Sequence, residues 1–163
     1  MSTVLVIMVL TNVLVLFLEM ILKTVMNKYF VNFETAMKMR SIRYNVPGRL
    51  WSMSKYEGGA ELFEESAVKD WNTMFENAPG NEYMCTAPTL EEAQRWLRDV
   101  KGIHIMLDCI GAKNWKPTVQ DMYGEKDYVI EGEESRMGFN GFDSYEIALD
   151  IAIKDVVNKL CEA

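Results

Sequence analysis

Residues Thr89-Leu90-Glu91-Glu92-Ala93-Gln94-Arg95-Trp96-Leu97-Arg98-Asp99-Val100-Lys101-Gly102-Ile103-His104-Ile105-Met106-Leu107-Asp108-Cys109-Ile110 decide the fold class. Thr89 predicts an N-cap, and Glu92 three residues on closes a capping box, in which the two side chains accept from amides the helix start leaves orphaned. Leu90, Ala93, Trp96, Leu97 and Val100 recur at the 3.6 period and form one apolar stripe. Gly102 suits the left-handed residue that ends a helix. From Ile103 to Ile110 the run is largely apolar on both faces, which predicts a central strand.

C-terminal to this stretch, Trp115 to Met122 and Lys126 to Glu131 predict two further strands joined around Tyr123-Gly124. Residues 132–141 are polar and turn-rich. The last helix carries its own start signals: Asp143 as cap, Glu146 closing a box, and Phe142 placed to staple onto Ile147. Tyr145, Ala148, Leu149, Ala152, Ile153, Val156 and Leu160 then keep the helical period, with Ile147, Ile151 and Val157 widening that face.

On the N-terminal side, Asn32 predicts the cap of a helix from Phe33 to about Arg43, with Phe33, Ala36, Met37 and Arg40 on one face. Pro47 and Gly48 stop it. Arg49 to Ser54 alternates apolar and polar as a strand does, and Gly58-Gly59 marks a turn. Leu62, Phe63, Ala67, Trp71, Met74 and Phe75 sit at roughly helical spacing, so residues 60–77 read as one or two short helices. The stretch from Asn77 to Pro88 reads as an irregular loop. Adjacent strand signals imply a hairpin. The expected class is therefore α+β, a small mostly antiparallel sheet with helices on one face, formed by a single domain over residues 26–163.

Residues 1–25 are of another character. Between Val4 and Leu22, 16 of 19 residues are apolar, the exceptions being Thr11, Asn12 and Glu19. As a helix this run is about 28 Å long, close to the ~30 Å hydrocarbon core of a bilayer. It has no cation before it and no small-x-small cleavage site after it, which argues against a signal peptide. The expectation is a single transmembrane anchor. The positive-inside rule then puts Lys23, Lys28, Lys38, Arg40 and Arg43 in the cytoplasm and the N-terminus on the outer side of the membrane. A buried core helix is one alternative. Met26 as the true start, giving a cytoplasmic protein, is another.

Charge divides the chain further. The net charge is −7, made of −1 over residues 1–22, +6 over 23–55 and −12 over 56–163. An acidic body repels phosphate backbones, so direct nucleic-acid binding is disfavoured. With 49% apolar and 25% charged residues the chain is not of disordered composition.

Three segments taken in order resemble a known group. They are Phe33-Glu34-Thr35-Ala36, then Ala87-Pro88-Thr89-Leu90-Glu91-Glu92-Ala93-Gln94-Arg95-Trp96-Leu97-Arg98 running into Ile103-His104-Ile105, then Gly141-Phe142-Asp143-Ser144-Tyr145-Glu146-Ile147-Ala148. The pattern is similar to small proteins encoded by phages and mobile elements, mostly of Bacteroidota, and covers roughly residue 27 to the end. The resemblance implies an accessory protein of that origin and brings no activity, substrate or catalytic residue.

Chemical motifs are few. His104 could serve as a base near neutral pH, but no nucleophile motif accompanies it, and a cross-strand histidine explains it better. Cys85, Cys109 and Cys161 lack C-x-x-C spacing; Cys109 reads as a small core hydrophobe and Cys85 as a loop thiol, all three reduced and inert. Glu131, Glu133 and Glu134, and Asp121, Glu125 and Asp127, read as solvated acids without the calcium-loop pattern. There is no phosphate-binding glycine loop. No cofactor, metal site or catalytic residue is assigned. Trp96 belongs to the core. Of Trp51, Trp71, Trp96 and Trp115, Trp115 is the one placed to contact a partner.

The expectation is a non-enzymatic module that presents an acidic α+β surface to a host or phage protein. A small enzyme with a carboxylate pair in a cleft and an acidic nucleic-acid mimic are the alternatives.

Overall fold

A computed structural model describes residues 11–18, 21, 28–46, 51–56, 59–64, 72, 84–111, 114–121, 128–130 and 141–163. Residues 11–18 are helical (α1). There follow α2 (Phe33–Ser41), β1 (Trp51–Tyr56), β2 (Gly59–Glu64), β3 (Met84–Thr86), α3 (Leu90–Lys101), β4 (Ile103–Gly111), β5 (Asn114–Asp121), β6 (Tyr128–Val129) and α4 (Tyr145–Glu162). The class is mixed helix and strand, with antiparallel pairing among the described strands. The strands form two three-stranded sheets, ordered β2-β1-β3 and β4-β5-β6.

Local chemistry fixes the helix ends. Thr35 N–H donates to Asn32 Oδ1 at 2.9 Å and opens α2. At α3 the capping box is complete: Glu92 N–H donates to Thr89 Oγ1 and Thr89 N–H to Glu92 Oε2. Gly102, at φ 70°, ends α3 in the left-handed region that costs glycine nothing. The cap of α4 is Ser144, one residue later than the Asp143 expected. Its Oγ accepts from Ile147 N–H at 3.2 Å, so Glu146 has no box to close. The Phe142 backbone exchanges two 2.8 Å hydrogen bonds with Trp115. Ile147 is half exposed.

The core joins the three long helices. Phe33, Thr35, Ala36 and Met39 of α2 are buried, which turns the inner face of α2 toward Met39 rather than Arg40. Leu90, Ala93, Trp96 and Leu97 of α3 are buried, whereas Val100 at the end of the expected stripe is 61% exposed. Ala148, Leu149, Ala152, Ile153, Val156 and Val157 line α4. Tyr44, just past α2, meets the Trp96 ring edge-on at 5.2 Å. Each large side chain so buried contributes roughly 1.5–3 kcal/mol.

Asn72 is a buried polar peg in this region. Its Nδ2 donates to Tyr44 O at 2.7 Å and its Oδ1 accepts from Thr86 N–H at 3.1 Å. One side chain thereby satisfies two backbone groups from distant parts of the chain.

Three expectations are corrected. Residues 59–64 form strand β2, not a helix, because they pair with β1 from Tyr56↔Gly59 to Trp51↔Glu64. Residues 84–86, expected to be loop, form β3 on the other side of β1. Strand β4 lies at the edge of its sheet, and β5 is central. The apolar residues of β4 are divided by this placement: Ile105 is buried, while Met106 and Ile110 face solvent.

Much of the expected 4–22 anchor lies outside the described residues, as do Trp71, Glu125, Asp127, Glu131, Glu133 and Glu134. Every residue of α1 is exposed, which does not fit a buried core helix. Among the described residues, no helix is long and apolar enough to cross a membrane.

Candidate functional site

Sheet β4-β5-β6 has two unlike faces. Pleating sends Ile105, Leu107, Val119, Pro117 and Tyr128 to one side, against α4 and α3. Met106, Thr118 and Val129 form a cross-strand row on the other side, since Met106 pairs with Thr118 and Thr118 with Val129. The row spans about 10 Å, two inter-strand steps. Met106 is 44% exposed and Val129 43%. His104 opposite Gln120 borders the row on one side and Asp108 opposite Lys116 on the other. This face carries two exposed apolar side chains, Met106 and Val129, on either side of Thr118, within a polar margin.

The outer edge of β4 is guarded. Gln94 Nε2 of α3 donates to the Ile105 carbonyl at 2.8 Å. At the far end a register shift between Cys109 and Gly111 breaks the ladder. Both devices hinder addition of a foreign strand, so the face rather than the edge is the surface on offer.

Trp115 stands elsewhere. It opens β5 on the α4 side, half-buried, with its ring edge-on to Tyr145 at 5.3 Å. A β-bridge to Phe142 ties its backbone to the segment entering α4. Gly141 leaves room at this seam: a Cβ there would run into the Asn114 side chain, which would have to move, and would lie 3.1 Å from the Trp115 carbonyl. The structure brings Trp115 together with the α4 start and not with the Met106 face.

A second seam pins β6. Tyr128 OH donates to Asp155 Oδ2 at 2.8 Å, Lys159 Nζ pairs with the same oxygen at 2.9 Å, and Lys159 lies 3.3 Å over the Tyr128 ring. Burial and the Asp155 hydrogen bond push the Tyr128 hydroxyl above its ordinary range. The arrangement fixes Val129 of the outer face from behind. Nothing in the sequence pattern singled out Tyr128 or Asp155; only the fold brings them together.

The thiols exchange the places expected of them. Cys85, in β3, is fully buried, and desolvation pushes it up to about 12, with Arg40 pulling weakly the other way. Cys109 is exposed at the frayed end of β4 and Cys161 at the end of α4. Asp150 is the described carboxyl that burial raises; it faces Asn32 and Lys154 rather than a second acid. Among the described residues no group of three or more His, Cys, Asp or Glu side chains could hold a metal ion. No protein-family model, curated protein or solved structure matches the chain.

Proposed function

We propose that the chain is a non-enzymatic accessory protein of phage or mobile-element origin, which works by binding a host or phage protein. It acts in the bacterial cytoplasm or at the inner face of the membrane. The observation that carries this reading is the solvent-facing side of sheet β4-β5-β6. Its cross-strand row, Met106-Thr118-Val129, sets two exposed apolar side chains about a threonine, on a body of charge −12 over residues 56–163. Apolar area that water must cover is a standing incentive for association. The acidic surroundings select a partner whose own apolar centre is rimmed by Lys and Arg, and repel acidic competitors. Glu34, Glu91, Asp99, Asp108, Asp143 and Glu162 are exposed and contribute to that field.

The test uses two surface variants. Met106→Glu places a charge in the row, and Asp108→Lys reverses the margin. Both side chains are exposed, so the fold is expected to keep its thermal midpoint within a few degrees. Each variant should lose at least tenfold in affinity for the partner recovered with the wild-type chain, and Asp108→Lys should also flatten the salt dependence. Wild-type affinity in both would refute the reading.

A further inference from the structure

We propose that the Met106 thioether is a redox modification site: a peroxide converts it to the sulfoxide, and the sheet face then loses its hold on a partner until a thiol-dependent reductase restores the thioether. This regulation rests on the sheet-face reading and adds to it a chemical means of release.

Placement singles out Met106. Of the methionines whose side chains are described, Met39 is fully buried and Met37 packs half-buried against the core, whereas Met106 is 44% exposed. An exposed thioether meets a small oxidant without any opening of the fold, and a buried one does not. Met106 is held in the ladder by its pairing with Thr118, and its chain neighbours Ile105 and Leu107 pack on the core side. An oxygen added to the outward side chain therefore leaves the buried side of the strand untouched.

The same placement gives the modification a consequence. Met106 and Val129 are the apolar members of the row, and Thr118 between them is polar. Val129 is a saturated hydrocarbon and inert to peroxide. Oxidising Met106 turns one of the two apolar contacts into a polar, hydrogen-bond-accepting group. A partner that closes over the face must then strip water from the new oxygen, a cost the thioether does not carry. A donor stands beside it. Cross-strand partners hold their Cβ atoms about 4.5–5.5 Å apart, so the Thr118 hydroxyl is within reach of the sulfoxide oxygen. That hydrogen bond draws the modified side chain across the middle of the row and keeps the polar state in place.

The exchange of atoms and electrons closes. The sulfur lone pair attacks the outer oxygen of a hydroperoxide; the S–O bond forms and the O–O bond breaks. The departing oxyanion takes the hydroperoxide's proton and leaves as water or an alcohol. Sulfur is oxidised by two electrons and the peroxide is reduced by two. The return step uses two thiols, which become a disulfide as the sulfoxide oxygen leaves as water.

The experiment uses the full chain with the exposed Cys109 and Cys161 replaced by serine, so that neither thiol competes for the oxidant. The purified chain is treated with hydrogen peroxide, and peptide mass spectrometry follows the added oxygen. Met106 should oxidise roughly tenfold faster than Met39, with the thermal midpoint held within a few degrees. In bacteria, a diazirine amino acid at position 129 reports what lies over the face. A peroxide pulse should cut its protein adduct roughly tenfold, in step with Met106 oxidation, and the adduct should return as the sulfoxide is repaired. Met106→Leu, whatever its own yield, should give the same yield before and after the pulse. An adduct that survives oxidation of Met106, or that falls as far in Met106→Leu, would overturn the switch and leave the sheet-face reading standing. So would Met106 oxidising no faster than Met39. Absence of any adduct from position 129 in untreated cells would overturn the sheet-face reading and the switch with it.

Discussion

Replacing Asn72 by alanine removes one side chain and orphans two backbone groups. The Tyr44 carbonyl loses its 2.7 Å donor and the Thr86 amide its 3.1 Å acceptor. Asn72 is 6% exposed and Thr86 1%, so water cannot readily replace the amide. Leaving a buried polar group unsatisfied costs about 1–3 kcal/mol, with carbonyls, which have a second lone pair, at the lower end. The sum is about 2–4 kcal/mol, or roughly 5–15 °C in Tm for a chain of this size. Asn72→Asp is the sharper variant. Its carboxylate still accepts from Thr86 N–H but sets a second acceptor against the Tyr44 carbonyl. It should therefore be less stable than Asn72→Ala at pH 7 and recover as the pH falls and the carboxyl gains a proton to donate. Urea unfolding followed by tryptophan fluorescence, at pH 7 and pH 4, reads both effects as shifts in midpoint. An Asn72→Ala midpoint equal to wild type would refute the peg, as would an Asn72→Asp variant indifferent to pH.

Other consequences are equally open to measurement. Under native conditions at pH 8, iodoacetamide should modify Cys109 and Cys161 and leave Cys85, whose buried thiol is pushed up to about 12, until denaturant is added; mass spectrometry after peptide digestion would show early modification of Cys85 if this is wrong. Ser144→Ala should cost about 0.5–2 kcal/mol as a lost cap, with Asp143→Ala within about 0.5 kcal/mol of wild type; the reverse order in urea unfolding would restore Asp143 as the cap. Asp150→Asn should stabilise the fold at pH 7 and do little at pH 3. Burial raises the Asp150 carboxyl above its ordinary 3.8, so its ionisation costs folding free energy as the pH rises through the folded-state value, and the amide has no charge to lose water. A variant no more stable than wild type at pH 7 would contradict that sign.

What the sequence could reveal followed from how local the cause was. Helix α3 was legible because its start and stop are chemistry within a few residues: Thr89 with Glu92, and Gly102. Helix α4 was legible in its stripe but not at its first residue. Asp143 and Ser144 are both good caps, and the Phe142 bridge to Trp115, a contact across 27 positions of chain, selects Ser144. Strand β2 was misread because short apolar runs carry no decisive period, and its pairing with β1 supplies what propensity lacks. The edge position of β4 was hidden for a related reason. Met106 and Ile110 are apolar, and nothing in a single chain separates an apolar residue that is buried from one left facing solvent.

The same distinction bears on the three segments quoted together in the sequence analysis, at 33–36, 87–105 and 141–148. Phe33, Thr35 and Ala36 are core; Ala87 is core and the Pro88 carbonyl accepts from Val31 N–H; Thr89 and Ser144 are caps; Gly141 makes room for Asn114; Tyr145 packs on Trp115. These residues explain how the chain folds. Met106, Thr118 and Val129 of the outward face fall outside those segments, as does Trp115.

The most direct measurement places a photocrosslinking amino acid at position 106 of the full chain in living bacteria, with the same probe at Lys154, exposed on α4 across the sheet, as its control. The expected result is one dominant protein adduct from position 106, absent from position 154 and lost when Asp108→Lys is added. Equal or diffuse adducts from both positions would contradict the claim that this chain acts by binding a protein through its open sheet face.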